Sequence, residues 1–188
     1  LFDLVRLDSG HVRLKIDDLS LDELLDDLEL QYQPLAQAKG LTFKVRRGGP
    51  LAGARVRSDP LLLRRIAGNL VSNAIKYTEK GGVLLALRPG SKGLKTPLLE
   101  VWDTGVGIAP ALHKEIFREF YKVHLHEGTE DGFGLGLYIV SRLSHILGHP
   151  VTLDSRPGRG SVFRLEMRPT DPAQAAARAA SIHQFTGR

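Results

Sequence analysis

The chain has 188 residues, 42% of them apolar and 25% charged, with 26 basic and 21 acidic side chains giving a net charge of +5. That is enough chain for one domain with a core, and too mild a charge for a nucleic-acid-binding arm. The absence of cysteine excludes disulfides and thiolate chemistry. No stretch approaches the ~20 apolar residues that span a bilayer, and no basic segment followed by an apolar run marks a signal peptide.

Residues 1–9 place Leu1, Leu4, Val5 and Leu7 at helical spacing, and Gly10 follows as a helix C-terminal residue would. The sequence lacks an initiator Met and begins inside this pattern, so it is read as a piece of a longer protein. Val12, Leu14 and Ile16 alternate with charged residues, which predicts a strand with one buried face. Ser20 and Glu23 form a capping-box pair. The helix they open turns Leu21, Leu24, Leu25, Leu28 and Tyr32 inward and Asp22, Asp26, Asp27 and Glu29 to water. Pro34 is expected to kink it and Gly40 to end it. Residues 41–45 alternate as a strand, 48–53 form a turn, and 54–57 form a short strand. The basic cluster at 44–47 reads as a solvated strand end.

Ser58 or Asp59 caps the next helix, with Pro60 in its first turn. Over residues 61–77, Leu62, Leu63, Ile66, Leu70, Ala74 and Ile75 make a broad apolar face. Asn69, Asn73 and Lys76 share another face, at spacings of four and three. Asparagine is a poor helix former, so this row needs an explanation. It is either a polar flank paired with a neighbouring loop or a set of oxygen ligands for a hard cation with a lysine for phosphate. Residues 83–87 and 98–102 are strands joined by a hairpin-like loop at 89–96. The second strand ends in DTGVGI at 103–108. Asp103 there is either an Asx turn or an acceptor for an exocyclic amine, the group that distinguishes adenine from guanine.

Pro110 opens a short helix through Phe117, and Phe117, Phe120 and Tyr121 form an aromatic cluster. The polar segment VHLHEGTED that follows is placed as a lid would be. Residues 131–140, DGFGLGLYIV, alternate glycines with apolar residues and run into a helix that continues through Leu143, Ile146 and Leu147. A glycine loop entering a helix N-terminus is an anion site, most often for phosphate, because unpaired N–H groups and the positive end of the dipole converge there. Gly148 and Pro150 break the chain, and 151–155 and 161–167 are strands around the turn RPGRG. Residues 169–188 show little core potential and read as a linker or tail, helical over 173–180.

In their fixed order, these motifs resemble the ATP-binding catalytic domain of sensor histidine kinases, within the GHKL group that includes gyrase, mismatch-repair ATPases and heat-shock chaperones. GNLVSNAIKYT is similar to the N box, and DTGVGI and GFGLGLYIV to the two glycine boxes. EIFREFYKV is similar to the F box and GRGSVFRL to the last glycine-rich box. The opening segment resembles the junction where the second dimerisation helix enters the first strand. The resemblance covers roughly residues 1–168. It implies an α+β two-layer sandwich, a Bergerat-type ATP-binding fold with a mixed β-sheet and helices packed on one face. It further implies three parts: the end of the dimerisation helix at 1–10, the catalytic domain at 11–168 and a tail at 169–188.

Position by position, the resemblance implies Asn73 as the Mg²⁺ ligand, Asn69 near the phosphates, and Lys76 and Tyr77 on the phosphate and adenine sides. Asp103 would accept from the adenine amine, with Gly105, Gly107 and Ile108 shaping the pocket. Lys122 would reach the phosphates, and Gly134, Leu135, Gly136 and Leu137 would present the loop and helix start to them. Ser161 would lie near the adenine, where the family often has Thr. Phe133 departs from the small or polar residue that many members carry. No general base is identified. Of the seven histidines only His126 precedes an acidic residue, and it falls in the lid segment, so the phosphoacceptor is expected outside this chain.

The expected function is therefore Mg-ATP binding and transfer of the γ-phosphoryl group to a histidine on a separate dimerisation domain. Expected partners are that domain, in a homodimeric parent, and a response-regulator receiver domain, with neither nucleic acid nor direct membrane contact. The expected location is the cytoplasm, or the cytoplasmic part of an inner-membrane sensor. The alternative is an ATP-binding regulatory module without phosphotransfer. An ATP-driven clamp of the gyrase or chaperone kind fits less well, because the turn before Asn69 offers Arg64 and Arg65 and no carboxylate to activate water.

Overall fold

The computed structural model describes residues 14–47, 49–119 and 135–181. In chain order the elements are β1 (Asp17–Ser20), α1 (Leu21–Ala38), β2 (Thr42–Arg46), β3 (Arg55–Ser58), α2 (Pro60–Lys76), β4 (Gly82–Gly90) and β5 (Gly93–Asp103). Then come α3 (Gly136–Leu147), β6 (Val151–Arg156), β7 (Gly160–Glu166) and α4 (Pro172–Ser181). Short 3₁₀ turns occupy Gly49–Leu51, Pro110–Leu112 and Glu115–Phe117. The last two replace the single short helix expected after Pro110.

Five strands form one sheet in the order β2-β4-β5-β7-β6. The β2–β4 pair is parallel and the other pairs are antiparallel, so the sheet is mixed. A separate two-stranded sheet pairs β1 with β3. Val83, Leu85, Leu99, Val101, Phe163 and Leu165 point from the large sheet into one core with α1, α2 and α3. The fold is the α+β arrangement expected, with a mixed sheet layered against helices. Among the described residues no helix is long and apolar enough to cross a membrane.

Helix α2 lies at the centre. Asp59 caps it, accepting the amides of Leu61 and Leu62 through Oδ1, at 3.0 and 3.1 Å. Its predicted apolar face is buried throughout, with Leu63 and Ile66 fully so. Each such side chain stabilises the fold by about 1.5–3 kcal/mol. Two groups close its C-terminus, one distant in sequence and one just past the helix end. Lys39 Nζ donates to the carbonyls of Ile75 and Lys76 at 2.8 and 2.7 Å, and the buried Thr78 hydroxyl donates to Ala74 O at 2.7 Å.

The first strand lies later than the alternation at 12–16 suggests. Pairing with β3 brings the buried Leu19 opposite the buried Val56, and residues 14–16 join no sheet. The expected loop at 89–96 is mostly strand, because β4 and β5 pair as far as Gly90 and Gly93. The acidic row on α1 keeps Asp26 and Asp27 exposed, as expected, and is also paired. Arg47 bridges Asp26 and Glu29, Arg64 lies 2.7 Å from Asp27, and Asp22 accepts the Gly53 amide at 2.9 Å.

Residues 169–181 do find a core. Ala175 and Ala179 of α4 are buried, the Thr170 hydroxyl donates to Leu147 O at 2.9 Å, and the Thr170 amide donates to Arg57 O at 2.7 Å. The small apolar alanine stripe gave a weak sequence signal that tertiary packing strengthened. The stretches 1–13, 120–134 and 182–188 fall outside the described residues. With them fall the opening helix turn, the lid, Phe120, Tyr121, Lys122, His126, Phe133 and Gly134.

Candidate functional site

A pocket of about 590 Å³, mouth included, opens between the C-terminal half of α2, the end of β5, the β6–β7 hairpin and the start of α3. Asn73, Tyr77, Asp103, Gly107, Ile108, Leu137 and Ser161 line it, together with Ala74, Val106, Ile116 and Phe163. Its mostly apolar wall with a few convergent polar groups suits a small-molecule site. Five separate stretches of sequence thus meet at one cavity.

Asp103 ends β5, and its side chain is held by main chain. Oδ1 accepts the amides of Gly105 at 2.8 Å and Ser161 at 3.2 Å. Oδ2 receives no main-chain amide among the described residues. Burial pushes the carboxyl above its ordinary range, and the two amides pull it part of the way back. The loop after Asp103 is tied down on both sides. Val106 N donates to Tyr77 O at 3.3 Å, Gly158 N donates to Val106 O at 2.8 Å, and His113 Nε2 lies 3.1 Å from Ile108 O.

The two glycines of this loop are required by contact. A Cβ at Gly105 would stand 2.4 Å from Tyr77 O, and one at Gly107 would stand 2.0 Å from Arg156 O. Gly107 also has φ +68°, a conformation costly for other residues. Behind the wall sits Ser155, a buried residue that the sequence reading missed. Its Oγ accepts from Ile108 N at 2.8 Å, and lies 3.0 Å from Gly160 O and 2.9 Å from Ser161 Oγ. A lone serine before a turn carries no signal in sequence.

The other end of the pocket is made of side-chain amides and a helix start. Asn69 Nδ2 donates to Arg65 O at 2.9 Å, which turns its Oδ1 toward Gly136. A Cβ built on Gly136 would lie 3.3 Å from Asn69 Oδ1 and 3.6 Å from Asn73 Nδ2. The Asn73 amide makes no hydrogen bond to a described residue. Helix α3 begins here with Leu135 at its N-cap, no side-chain cap and no acidic residue in its first turn. Among the described residues no side chain caps these N–H groups, and the positive end of the dipole faces two amide side chains.

The structure thus brings Asn69, Asn73, Tyr77, Asp103, Gly105, Gly107, Ile108, Leu135, Gly136, Leu137 and Ser161 to one region. Lys76 stands apart from the pocket wall, its ammonium 5.6 Å from the centre of the Tyr77 ring. The expected contacts of Lys122 and Gly134 lie outside the described residues. No group of three His, Cys, Asp or Glu among the described residues could hold a metal by itself. The oxygens of Asn69 and Asn73 beside the α3 start suit a hard cation that shares its shell with phosphate oxygens and water.

Comparisons with known proteins identify the family and the fold. The profile of the histidine kinase-, DNA gyrase B-, and HSP90-like ATPase family matches residues 58–171. The aerobic respiration control sensor protein ArcB of Escherichia coli K12 is 32% identical over 176 residues, which are 93% of this chain and 22% of ArcB. The sensor histidine kinase RcsC of the same organism is 30% identical over 170 residues, 89% of this chain and 17% of RcsC. The chain thus spans about a fifth of these relatives. Full-length ShkA, crystallised in complex with AMPPNP, superposes with a TM-score of 0.76 at 33% identity, over 90% of this chain and 35% of ShkA. The catalytic domain of histidine kinase ThkA in a nucleotide-free form superposes with a TM-score of 0.70 at 22% identity. That match covers 84% of this chain and all 100% of the domain, and at this identity it speaks for the fold alone.

Proposed function

Because the chain belongs to the histidine kinase-, DNA gyrase B-, and HSP90-like ATPase family, we propose that it is the ATP-binding catalytic part of a sensor histidine kinase. It binds Mg-ATP in the pocket described and presents the γ-phosphoryl group to a histidine on a dimerisation domain outside this chain. The observation that carries this reading is the meeting of Asp103, Ser161 and Tyr77 with Asn73 and the uncapped start of α3 around one cavity. ShkA, a relative of this chain at 33% identity, was crystallised with an ATP analogue, which supports the same nucleotide here.

Asp103 accepts the adenine amine through Oδ2, while Oδ1 stays fixed by two amides. Ile108, Val106, Leu137 and Tyr77 enclose the ring and exclude water from it. Asn73 would hold Mg²⁺, with Asn69 oriented beside it, and the N–H groups at Gly136 and Leu137 would meet phosphate oxygens. When bound, Mg²⁺ supplies charge neutralisation at the phosphates. Phosphoryl transfer needs positioning and charge neutralisation more than covalent help, and the chain's residues supply the positioning. Lys122 and Gly134 extend the phosphate site in this reading. Lys76 supports it from the far side of Tyr77.

The parent protein is a homodimer in the cytoplasm, or has this part there, and passes its phosphoryl group to a receiver domain. One experiment tests the enzymatic reading: the chain is mixed with Mg-ATP and a separately made dimerisation domain carrying its histidine. Acid-labile phosphate on that domain is expected. ATP binding without such phosphate would favour a purely regulatory module.

A further inference from the structure

The hydrogen-bond polarity of the pocket wall follows from one buried hydroxyl, and this inference rests on the adenine-pocket reading above. Ser155 Oγ has three polar neighbours at hydrogen-bond distance: Ile108 N, Gly160 O and Ser161 Oγ. A serine hydroxyl has one proton and two lone pairs. Ile108 N–H can only donate and Gly160 O can only accept. All three contacts are satisfied at once only if Ser155 donates to Gly160 O and accepts from both Ile108 N–H and the Ser161 hydroxyl. The Ser161 proton has a second claimant in the adjacent Asp103 carboxylate. Giving it to Asp103 would leave one contact without a proton: the Ser155 and Ser161 oxygens 2.9 Å apart, or, if Ser155 turned its own proton to Ser161, the Ser155 and Gly160 oxygens 3.0 Å apart.

We propose that Ser155 is a positioning residue for base selection. By taking the Ser161 proton it leaves Ser161 Oγ as an acceptor beside Asp103. The wall then offers only acceptors at that point, so it receives an exocyclic amine and opposes a ring carbonyl. Ser155 does not touch the base. It lies buried behind the wall and acts through Ser161, which lines the pocket.

The test compares binding of ATP and inosine triphosphate, whose ring has a carbonyl where adenine has its amine, to the full chain by calorimetric titration. Wild type is expected to prefer ATP. Ser155→Ala frees the Ser161 proton to turn to the Asp103 carboxylate or into the pocket, either of which takes acceptor capacity from that point of the wall, and is expected to narrow the ATP-to-ITP ratio about tenfold, on the scale of one mispaired buried polar contact. Ser155→Thr keeps the hydroxyl and is expected to keep the ratio. Ser155→Ala combined with Ser161→Ala is expected to give the ratio of Ser161→Ala alone, because one residue acts through the other.

Equal weakening of both nucleotides in Ser155→Ala would mark a merely structural role and overturn the proposal. So would an unchanged ratio, or losses that multiply in the double variant. If Ser155→Ala melts too low for titration, Ser155→Cys carries the same ratio test, since a thiol is a weaker donor and acceptor. Failure of wild type to bind ATP at all would overturn the function reading itself, and would be visible before any variant is made.

Discussion

At the Asp103 end of the pocket the polar groups are fixed by main chain: two amides on the carboxylate, and amide–carbonyl bonds joining the loop after it to Tyr77 and to the β6–β7 turn. At the Asn73 end the groups are side-chain amides one turn apart on α2 and the uncapped start of α3. The first end is built before a ligand arrives, so its specificity is geometric. Among the described residues the second offers unpaired donors and acceptors, which suit charged partners, so under the proposed function its strength depends on the ions that enter. On the function proposed above, the Asp103 end should therefore respond to backbone change and the Asn73 end to the presence of the cation.

Gly107→Ala should break the comparison most severely. The added Cβ would meet Arg156 O at 2.0 Å, and both atoms belong to stiff backbone. Loss of detectable ATP binding is expected, with a stability loss of about 3 kcal/mol or more, read by thermal melting. Gly158→Ala is the control: it has φ +73° but open space around its Cβ, so only the backbone strain of about 1 kcal/mol should appear. Equal effects of the two would mean that strain, and not the close approach, sets the loop.

Asp103→Asn comes next. An amide in that place puts a donor where the adenine amine needs an acceptor. ATP binding should weaken by about 1–3 kcal/mol, by the same factor with Mg²⁺ and with a chelator present. Unchanged affinity would reduce Asp103 to a turn residue. Asn73→Ala should be smaller and should differ in kind. It should weaken ATP by about 1–2 kcal/mol with Mg²⁺ present and have almost no effect under chelation. If both variants showed the same Mg²⁺ dependence, the two ends would not be separate.

The Asp103 end was also the more legible one. DTGVGI shows a carboxylate and two glycines at a strand end, and local sequence fixes their relation. Helix α2 was legible for the same reason: its apolar face and its Asn row both follow from helical spacing. What stayed hidden depends on partners far away in the chain. Ser155 gains its meaning from Ile108, 47 residues away, and Lys39 from Ile75, 36 residues away. Lys76 shared a helix face with the asparagines, yet its side chain runs to Tyr77, because face sharing does not fix a long side chain's direction. Residues 14–16, the described part of the alternation, satisfied the strand pattern but join no sheet, while β1 formed where β3 could meet it.

His149 tests whether the fold beneath both ends can be loosened without touching either. It is fully buried, accepts the Arg168 amide at Nδ1 at 3.3 Å, and therefore carries its proton on Nε2, which donates to the buried Ser58 at 2.8 Å. A second proton would set two N–H groups against each other at Nδ1. Burial, and then the charges of Arg178 and Arg168, hold its pKa down to about 4, below the ordinary 6.5. The folded state thus keeps His149 neutral where the unfolded chain would protonate it. Stability from this group is present above pH 6.5 and declines as pH falls from 6.5 toward about 4. The limiting slope is about 1.4 kcal/mol per pH unit for one proton. His149→Gln should flatten that part of the pH–stability curve at some cost at neutral pH. It should leave the ATP affinity of the folded protein at pH 7.5 unchanged, because neither Ser58 nor Arg168 lines the pocket. A variant that altered nucleotide affinity as well would show that the C-terminal packing of residues 168–170 is transmitted through α3 to the phosphate end.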